Sequence, residues 1–228
     1  VALESGFSRI NVKLHAGEET EINGAGPEIP PEKLELFFQK LQAMTDADTL
    51  VLSGSVPPSL PGDIYARIAG IAGEKGARLI VDAAGKLLLS ALPYRPFLVK
   101  PNREELAALF DAPAGTDEAV LALAKRLQAQ GARHVLVSMA GDGALLCTES
   151  GEVYRVPAAK GTVVNSVGAG DSMVGGFLAA LEKTGDFQAA LALGAAAGGA
   201  TAFSVGIAGF QKVMALYERI KTEVKRIG

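Results

Sequence analysis

Phe97-Leu-Val-Lys-Pro101, followed by Asn102-Arg-Glu-Glu-Leu-Ala-Ala-Leu-Phe110, changes its hydrophobic period at a proline, and that change decides the fold class. Phe97 to Lys100 is a short apolar run stopped by a residue that cannot continue a β ladder, so it reads as a buried strand. Asn102 then stands as an N-cap, able to accept from an orphan N–H, ahead of a helix over Arg103 to Phe110. The same alternation continues in both directions. Upstream, Thr49-Leu-Val-Leu-Ser-Gly-Ser55 reads as a buried strand, and Gly62 to Lys75 as a helix with Ile64, Ile68 and Ile71 at helical spacing. Arg78-Leu-Ile-Val-Asp82 is a strand again. Downstream, Thr116 to Gln130 is predicted helical, with Val120, Leu123 and Leu127 on one face, and His134-Val-Leu-Val-Ser138 is a strand. Such alternation predicts an α/β fold: a mostly parallel sheet covered by helices on both faces.

Beyond this repeat, Gly143 to Val156 is hairpin-like. Gly168 to Lys183, Phe187 to Phe203 and Phe210 to Ile227 are predicted as helices. The beginning is different. Ser8-Arg-Ile-Asn-Val-Lys-Leu14 and Thr20-Glu-Ile-Asn-Gly24 alternate around the turn-like His15-Ala-Gly17-Glu18, which predicts a two-stranded ribbon outside the repeat. The expected organisation is a β-ribbon lid segment over residues 1–28 and an α/β core over 29–228.

Composition narrows the functional classes. The 228 residues carry 22 Lys plus Arg against 25 Asp plus Glu, a formal charge of −3, with a pI near 5.5. That balance supplies no general attraction to nucleic acid or to an anionic membrane, so neither is an expected partner. One Cys excludes an internal disulfide, and one Cys with two His cannot build a tetrahedral zinc site. The expected compartment is cytoplasmic. No apolar run reaches the ~18 residues of a membrane span. The longest, Ala189 to Phe203, is rich in Ala and Gly and suits a closely packed internal helix. Cys147, His15 and His134 read as structural.

The strongest local motif is Val163-Val-Asn-Ser-Val-Gly168-Ala-Gly-Asp171-Ser-Met-Val-Gly-Gly176. Gly168, Ala169 and Gly170 precede a helical pattern, so their N–H groups would converge where the helix dipole favours an anion. Asp171, in the first turn, reads either as a dipole-stabilising acid or, beside a bound phosphate, as a base for an attacking hydroxyl. Three other motifs fail on spelling. A dinucleotide fingerprint needs a glycine where Met173 stands, and no P-loop spelling occurs. Gly170-Asp-Ser172 as a serine-esterase block would need a His partner, and His15 and His134 both lie upstream in strand-like contexts.

Asn165-Ser-Val-Gly-Ala-Gly-Asp-Ser172 resembles the C-terminal signature of the ribokinase and phosphofructokinase-B sugar kinases. Ser8 to Leu14, Glu19 to Gly24, Ser53-Gly-Ser-Val-Pro57, Val99-Lys-Pro-Asn-Arg-Glu-Glu105 and Ala200-Thr-Ala-Phe-Ser204 narrow the resemblance. They are similar to the branch of 1-phosphofructokinases and tagatose-6-phosphate kinases. The resemblance implies a ribokinase-like fold and an ATP- and Mg²⁺-dependent kinase that phosphorylates fructose 1-phosphate at its 6-hydroxyl. Tagatose 6-phosphate is the alternative acceptor, and a nucleotide-binding fragment without activity is the non-enzymatic alternative; an intact Asp171 counts against the latter.

The resemblance also implies roles. Asp171 matches the catalytic base, and Gly168, Ala169 and Gly170 the anion hole. Ser138-Met139-Ala140-Gly141-Asp142-Gly143 matches the nucleotide loop, with Gly170 and Asp171 also on the nucleotide side. Without the resemblance this stretch reads as a glycine turn. Asn102 and Glu105 match a motif that positions Mg²⁺ and phosphate; alone they read as a helix cap and a solvated acid. Arg9 matches a lid arginine that reaches the sugar phosphate. Ser53 and Ser55 sit where open α/β sheets place ligands, at the end of a strand. Lids of this family imply a homodimer. The family's N-terminal part, with a substrate-binding Asp, a Gly-Gly sugar motif and the first strands, finds no counterpart, and the resemblance covers roughly three-quarters of a member's length. The expectation is a part of a longer kinase that, expressed alone, aggregates or binds ATP without turnover.

Overall fold

The computed structural model describes the backbone of residues 1–16 and 18–228, and side chains outside residues 13–21. A seven-stranded sheet runs in the order β3 (Thr49–Ser53), β4 (Arg78–Asp82), β5 (Leu98–Val99), β6 (His134–Ser138), β7 (Ala144–Cys147), β8 (Val153–Val156) and β9 (Lys225–Arg226). Pairing is parallel from β3 to β6 and antiparallel from β6 to β9. Apart from this sheet, β1 (Asn11–Ala16) and β2 (Glu18–Asn23) form an antiparallel ribbon, as the alternation predicts. The strands run further into the expected turn than the pattern suggests. His15, expected to be structural, lies among the side chains outside the described residues.

The strands are continuous apolar runs because both faces of the sheet are covered. Leu79 and Val81 of β4, Val99 of β5, Val135 and Val137 of β6, and Leu145 and Cys147 of β7 point to one core. The alternate residues Ile80, Leu98, Leu136, Ala144 and Leu146 point to the other. The first core is closed by α1 (Pro31–Leu41), α2 (Ile64–Glu74), α3 (Gly85–Ala91), α4 (Arg103–Phe110) and α5 (Asp117–Ala129). The second is closed by α6 (Ala169–Thr184), α7 (Phe187–Ala202) and α8 (Phe210–Ile220). The period-2 pleat thus separates two cores with one run of side chains.

α6 and α7 approach unusually closely. A Cβ added at Gly176 would stand 2.7 Å from the Leu193 carbonyl oxygen, and one at Gly194 would stand 2.9 Å from that of Met173. The Ala- and Gly-rich run is therefore the internal helix α7, packed backbone to backbone on α6. Among the described residues no helix is long and apolar enough to cross a membrane.

Two expectations need correction. The last helix ends at Ile220, not Ile227; Lys225–Arg226 returns to pair with β8, and Val153 N–H donates to the Gly228 carbonyl at 3.0 Å. Phe97 to Lys100 contributes only Leu98–Val99 as a named strand. Phe97 N–H to Leu79 O (2.7 Å) and Lys100 N–H to Val81 O (3.0 Å) still carry the pairing to its expected ends.

Candidate active site

Parallel strands deliver their carboxyl ends to one side of the sheet, where the crevice of an open α/β fold lies. Ser53 closes β3, Asp82 closes β4, Lys100 follows β5 and Ser138 closes β6. Lys100 is 5% exposed, one of few buried charges, and its Nζ lies 2.9 Å from Asp82 Oδ1. Burial pushes the Asp82 carboxyl above its usual range, the Lys100 ammonium pulls it back, and the charges of Asp171 and Glu105 push it up again. A Cβ added at Gly170 would lie 3.2 Å from Lys100 Nζ, so the ammonium stands against the first turn of α6. Sequence reasoning missed Asp82 and Lys100. The signal was present in the charged ends of Leu79-Ile-Val-Asp82 and Phe97-Leu-Val-Lys100, which a solvated-terminus reading hides.

The N-terminus of α6 is held by stitching to the end of α7. Val164 and Asn165 both donate N–H to the Ala202 carbonyl, at 2.8 and 3.1 Å, and Asn165 Oδ1 accepts from Val167 N–H at 3.0 Å. Thr201 Oγ1 donates to Ser172 Oγ at 2.9 Å. Gly168 caps the helix in the left-handed region, at φ +78°. Of the expected anion-hole donors, Ala169 N–H is already engaged with Ser166 O at 3.2 Å. Among the described residues no acceptor meets the N–H of Gly170 or Asp171, the donor shortfall of a helix start. Asp171 lies exposed in this first turn, and its Oδ1 accepts from Ser53 Oγ at 3.1 Å.

On the ribbon side, Arg9 Nε donates to Asn11 Oδ1 at 2.7 Å, and Arg9 Nη1 donates to Ser55 Oγ. The Tyr65 hydroxyl donates to the Gly54 carbonyl at 2.8 Å, fixing the turn between Ser53 and Ser55. Burial, with the Asp82 charge adding, pushes that phenol up to about 12, so it stays a donor at neutral pH. The segment Ser53 to Ser55 thus joins two distant parts of the chain, with Ser55 bonded to Arg9 and Ser53 to Asp171.

The stretch Ser138 to Gly143 and the start of α4 lie side by side. Ser138 N–H donates to Pro101 O at 3.2 Å, and Asn102 bridges to Ser138. Ala140, Gly141 and Asp142 are exposed, whereas Met139 is 3% exposed and packs in the first core. The Met139 side chain is therefore closed to a ligand, and its N–H and carbonyl are bonded within the turn, to Gly143 O at 2.8 Å and Asp142 N–H at 2.9 Å. Asn102 and Glu105 form a reciprocal capping box: Glu105 N–H to Asn102 Oδ1 at 2.7 Å, Asn102 N–H to Glu105 Oε2 at 2.8 Å. The cap reading is realised, and among the described residues no hydrogen bond joins this pair to Asp171. His134 and Cys147 are buried away from these groups. Burial, with Arg133 adding, holds the His134 imidazole down at about 4, and burial pushes the Cys147 thiol up to about 12.

A helix N-terminus with free donors and a buried ammonium beside it can bind an anion, and the exposed carboxylate on its first turn can take a proton beside that anion. A profile described as pfkB family carbohydrate kinase matches residues 6–212. The chain belongs to this kinase family. The 1-phosphofructokinase of Bacillus subtilis (strain 168) is 46% identical over 216 residues, covering 95% of this kinase chain and 71% of the relative. The D-tagatose-1-phosphate kinase of Bacillus licheniformis is 36% identical over 209 residues, covering 91% and 68%. The crystal structure of phosphofructokinase-2 from Escherichia coli in complex with substrates and products superposes with a TM-score of 0.84 at 26% identity, covering 92% of this chain and 70% of that one. The pfkB assignment makes the chain a carbohydrate kinase and agrees with the α/β sheet described above.

Proposed function

We propose that this chain carries the phosphoryl-transfer site of an ATP-dependent 1-phosphofructokinase, which converts fructose 1-phosphate to fructose 1,6-bisphosphate. The observation that carries the reading is the first turn of α6: Asp171 beside open N–H donors and the Lys100 ammonium, with Ser53 holding its carboxylate. Identity of 46% to a 1-phosphofructokinase supports the acceptor. The tagatose relative is named for the 1-phosphate, so tagatose 1-phosphate, the C4 epimer, replaces tagatose 6-phosphate as the alternative acceptor.

Phosphoryl transfer asks mainly for positioning and charge stabilisation. In this reading Asp171 takes the proton of the sugar 6-hydroxyl, and Ser53 fixes which carboxylate oxygen faces it. The N–H groups of Gly170 and Asp171, with Gly168 shaping the cap, receive charge on the transferring group, and Lys100 stabilises it from below. Gly168 lies close to Ile207, and Val163, Val164 and Val205 are exposed nearby in sequence and stitching, an apolar platform suited to a nucleoside. The loop Ser138 to Gly143 would take the nucleotide phosphates at its exposed tip, where the N–H groups of Ala140 and Gly141 meet no acceptor among the described residues. Arg9 and Ser55 would hold the sugar's phosphate, Arg9 as a charged fork.

Mg²⁺ fits the donors present. Among the described residues no group of three or more His, Cys, Asp or Glu could hold a metal by itself. A Mg²⁺ ion, however, needs only one or two carboxylates besides phosphate and water. Glu105, set by Asn102, and Asp82 would supply them, and the ion would offset the triphosphate charge. The ribbon of residues 1–28 is proposed as a lid and, clasped by a second copy, as a homodimer contact, which light scattering checks.

The purified enzyme assayed with fructose 1-phosphate and tagatose 1-phosphate tests the acceptor. A higher kcat/KM for fructose 1-phosphate is expected; an equal or reversed ratio would assign the tagatose sugar instead.

A further inference from the structure

Arg103 occupies an electrostatically unfavourable place. It is the first residue of α4, where the helix dipole favours anions and disfavours a cation, yet its side chain is only 22% exposed. Two acids follow it, Glu104 and Glu105, and Glu105 is committed to the capping box. Arg103 turns to another element. Its Nη1 donates to Asp142 Oδ2 at 2.7 Å, across to the stretch that follows β6. Its Nε–H is buried with no acceptor among the described residues.

The stretch it reaches is bent under strain. Ala140 has φ +46°, a left-handed conformation that costs a residue with a Cβ, and Gly143 (φ +91°) could accept no Cβ, which would fall 2.1 Å from the Val156 carbonyl oxygen. Internal bonds close the turn on itself: Met139 N–H to Gly143 O at 2.8 Å, Asp142 N–H to Met139 O at 2.9 Å, Gly143 N–H to Ala140 O at 3.0 Å. Strained backbone persists where its surroundings over-determine it. The exposed tip, Ala140 to Asp142, has the Asp142 carboxylate as its handle, and Arg103 grips it.

The geometry points to Arg103 as a positioning residue for the nucleotide. The Arg103–Asp142 ion pair latches the loop Ser138–Gly143 to the start of α4, so that the loop and the Asn102–Glu105 cap present themselves to one triphosphate as a single unit. This rests on the nucleotide-loop reading above. The Nε–H, buried without an acceptor among the described residues, is the cost of holding the side chain in the latch rather than in solvent.

The test is ATP binding by the 228-residue chain, measured by calorimetry, with fructose 1-phosphate binding measured in parallel. Arg103→Ala and Asp142→Ala should each weaken ATP binding by about 3- to 10-fold, the range of one charge-assisted contact. The double Ala variant should be no weaker than the poorer single variant, and the swap of Arg103→Asp with Asp142→Arg should recover most of the loss. Additive losses, or no recovery on swapping, would overturn the latch. So would a loss with Arg103→Ala alone, which would mean that Arg103 meets the nucleotide directly. Sugar-phosphate binding falling in step with ATP binding would reduce the pair to a general fold contact and overturn it too. Asp142→Asn removes charge but little volume at an exposed position and serves if Arg103→Ala does not fold. A parent chain that binds no ATP would instead overturn the nucleotide-loop reading, and the latch with it.

Discussion

Strands β6 and β3 carry almost the same chemistry, His134-Val-Leu-Val-Ser138 against Thr49-Leu-Val-Leu-Ser53, and end up in opposite surroundings. In β6, residues 134 to 137 are buried, paired on both sides by β5 and β7 and covered by both cores. Among the described residues β3 is the edge of the sheet: Leu52 is buried, but Val51 on the opposite face is 43% exposed. Each strand ends in a serine at the site. Ser138 opens the stretch proposed as the nucleotide loop, and Ser53 holds Asp171. On the proposed reading, the nucleotide side hangs from the interior of this sheet and the acceptor side from its rim. An apolar run announces a strand but not its place in the sheet, because place depends on which partners arrive.

The sharpest way to probe that contrast is at Asp171, where the two sides meet. Asp171→Asn should lower kcat by about 10²–10⁴-fold, with ATP affinity within about twofold of the parent, because the charge acts in the transition state. A variant keeping more than about a tenth of the activity would remove Asp171 from the role of base. The next effect belongs to the interior alone. With its imidazole held down at about 4, His134 stays neutral in the fold while the unfolded chain takes a proton near pH 6.5. The unfolded state then binds more protons, so this contribution is complete above ~6.5 and is lost as pH falls toward 4, by up to about 3 kcal/mol. Denaturant unfolding at pH 7 and pH 4.5 measures it, and His134→Gln should flatten the difference.

A direct comparison of the two strands follows. Val137→Ala, fully buried, should cost about 2 kcal/mol, whereas Val51→Ala should cost no more than about 0.5 kcal/mol. Equal costs would show that the outer face of β3 is covered in solution. The effect at the ribbon is confined to one substrate. Arg9 is exposed and held by Asn11 and Ser55, so Arg9→Ala should raise the sugar-phosphate KM by about 5- to 10-fold and leave the ATP KM unchanged. Equal changes in both would return Arg9 to a solvated surface.

Much of the fold was legible because its boundaries are written locally. β4 and β6 run over the expected residues, since their apolar runs stop at Asp82 and Ser138. α4 starts where Asn102 and Glu105 can cap each other, a signal contained in a few residues. α1 and α3 had no comparable signature and were not anticipated. α8 was extended too far because Val224 and Ile227 continue an apolar spacing. Val224 is instead buried beside a returning strand. The glycine motif led to Asp171, whereas Asp82 and Lys100 were legible only as charged strand ends: their pairing and burial require β4, β5 and α6 to meet, and no single segment contains that information.

The edge position of β3 has a consequence in time as well as in space. A strand with one ladder partner opens locally more readily than one enclosed on both sides, so β3 amides should exchange with deuterated solvent well before those of β6. Ser53 is both the last residue of β3 and the hydrogen-bond donor to Asp171. Each opening of the edge would release the carboxylate and each closing would seize it again. The orientation of Asp171 would then follow the breathing of a peripheral strand, even though its own helix is packed backbone to backbone against α7.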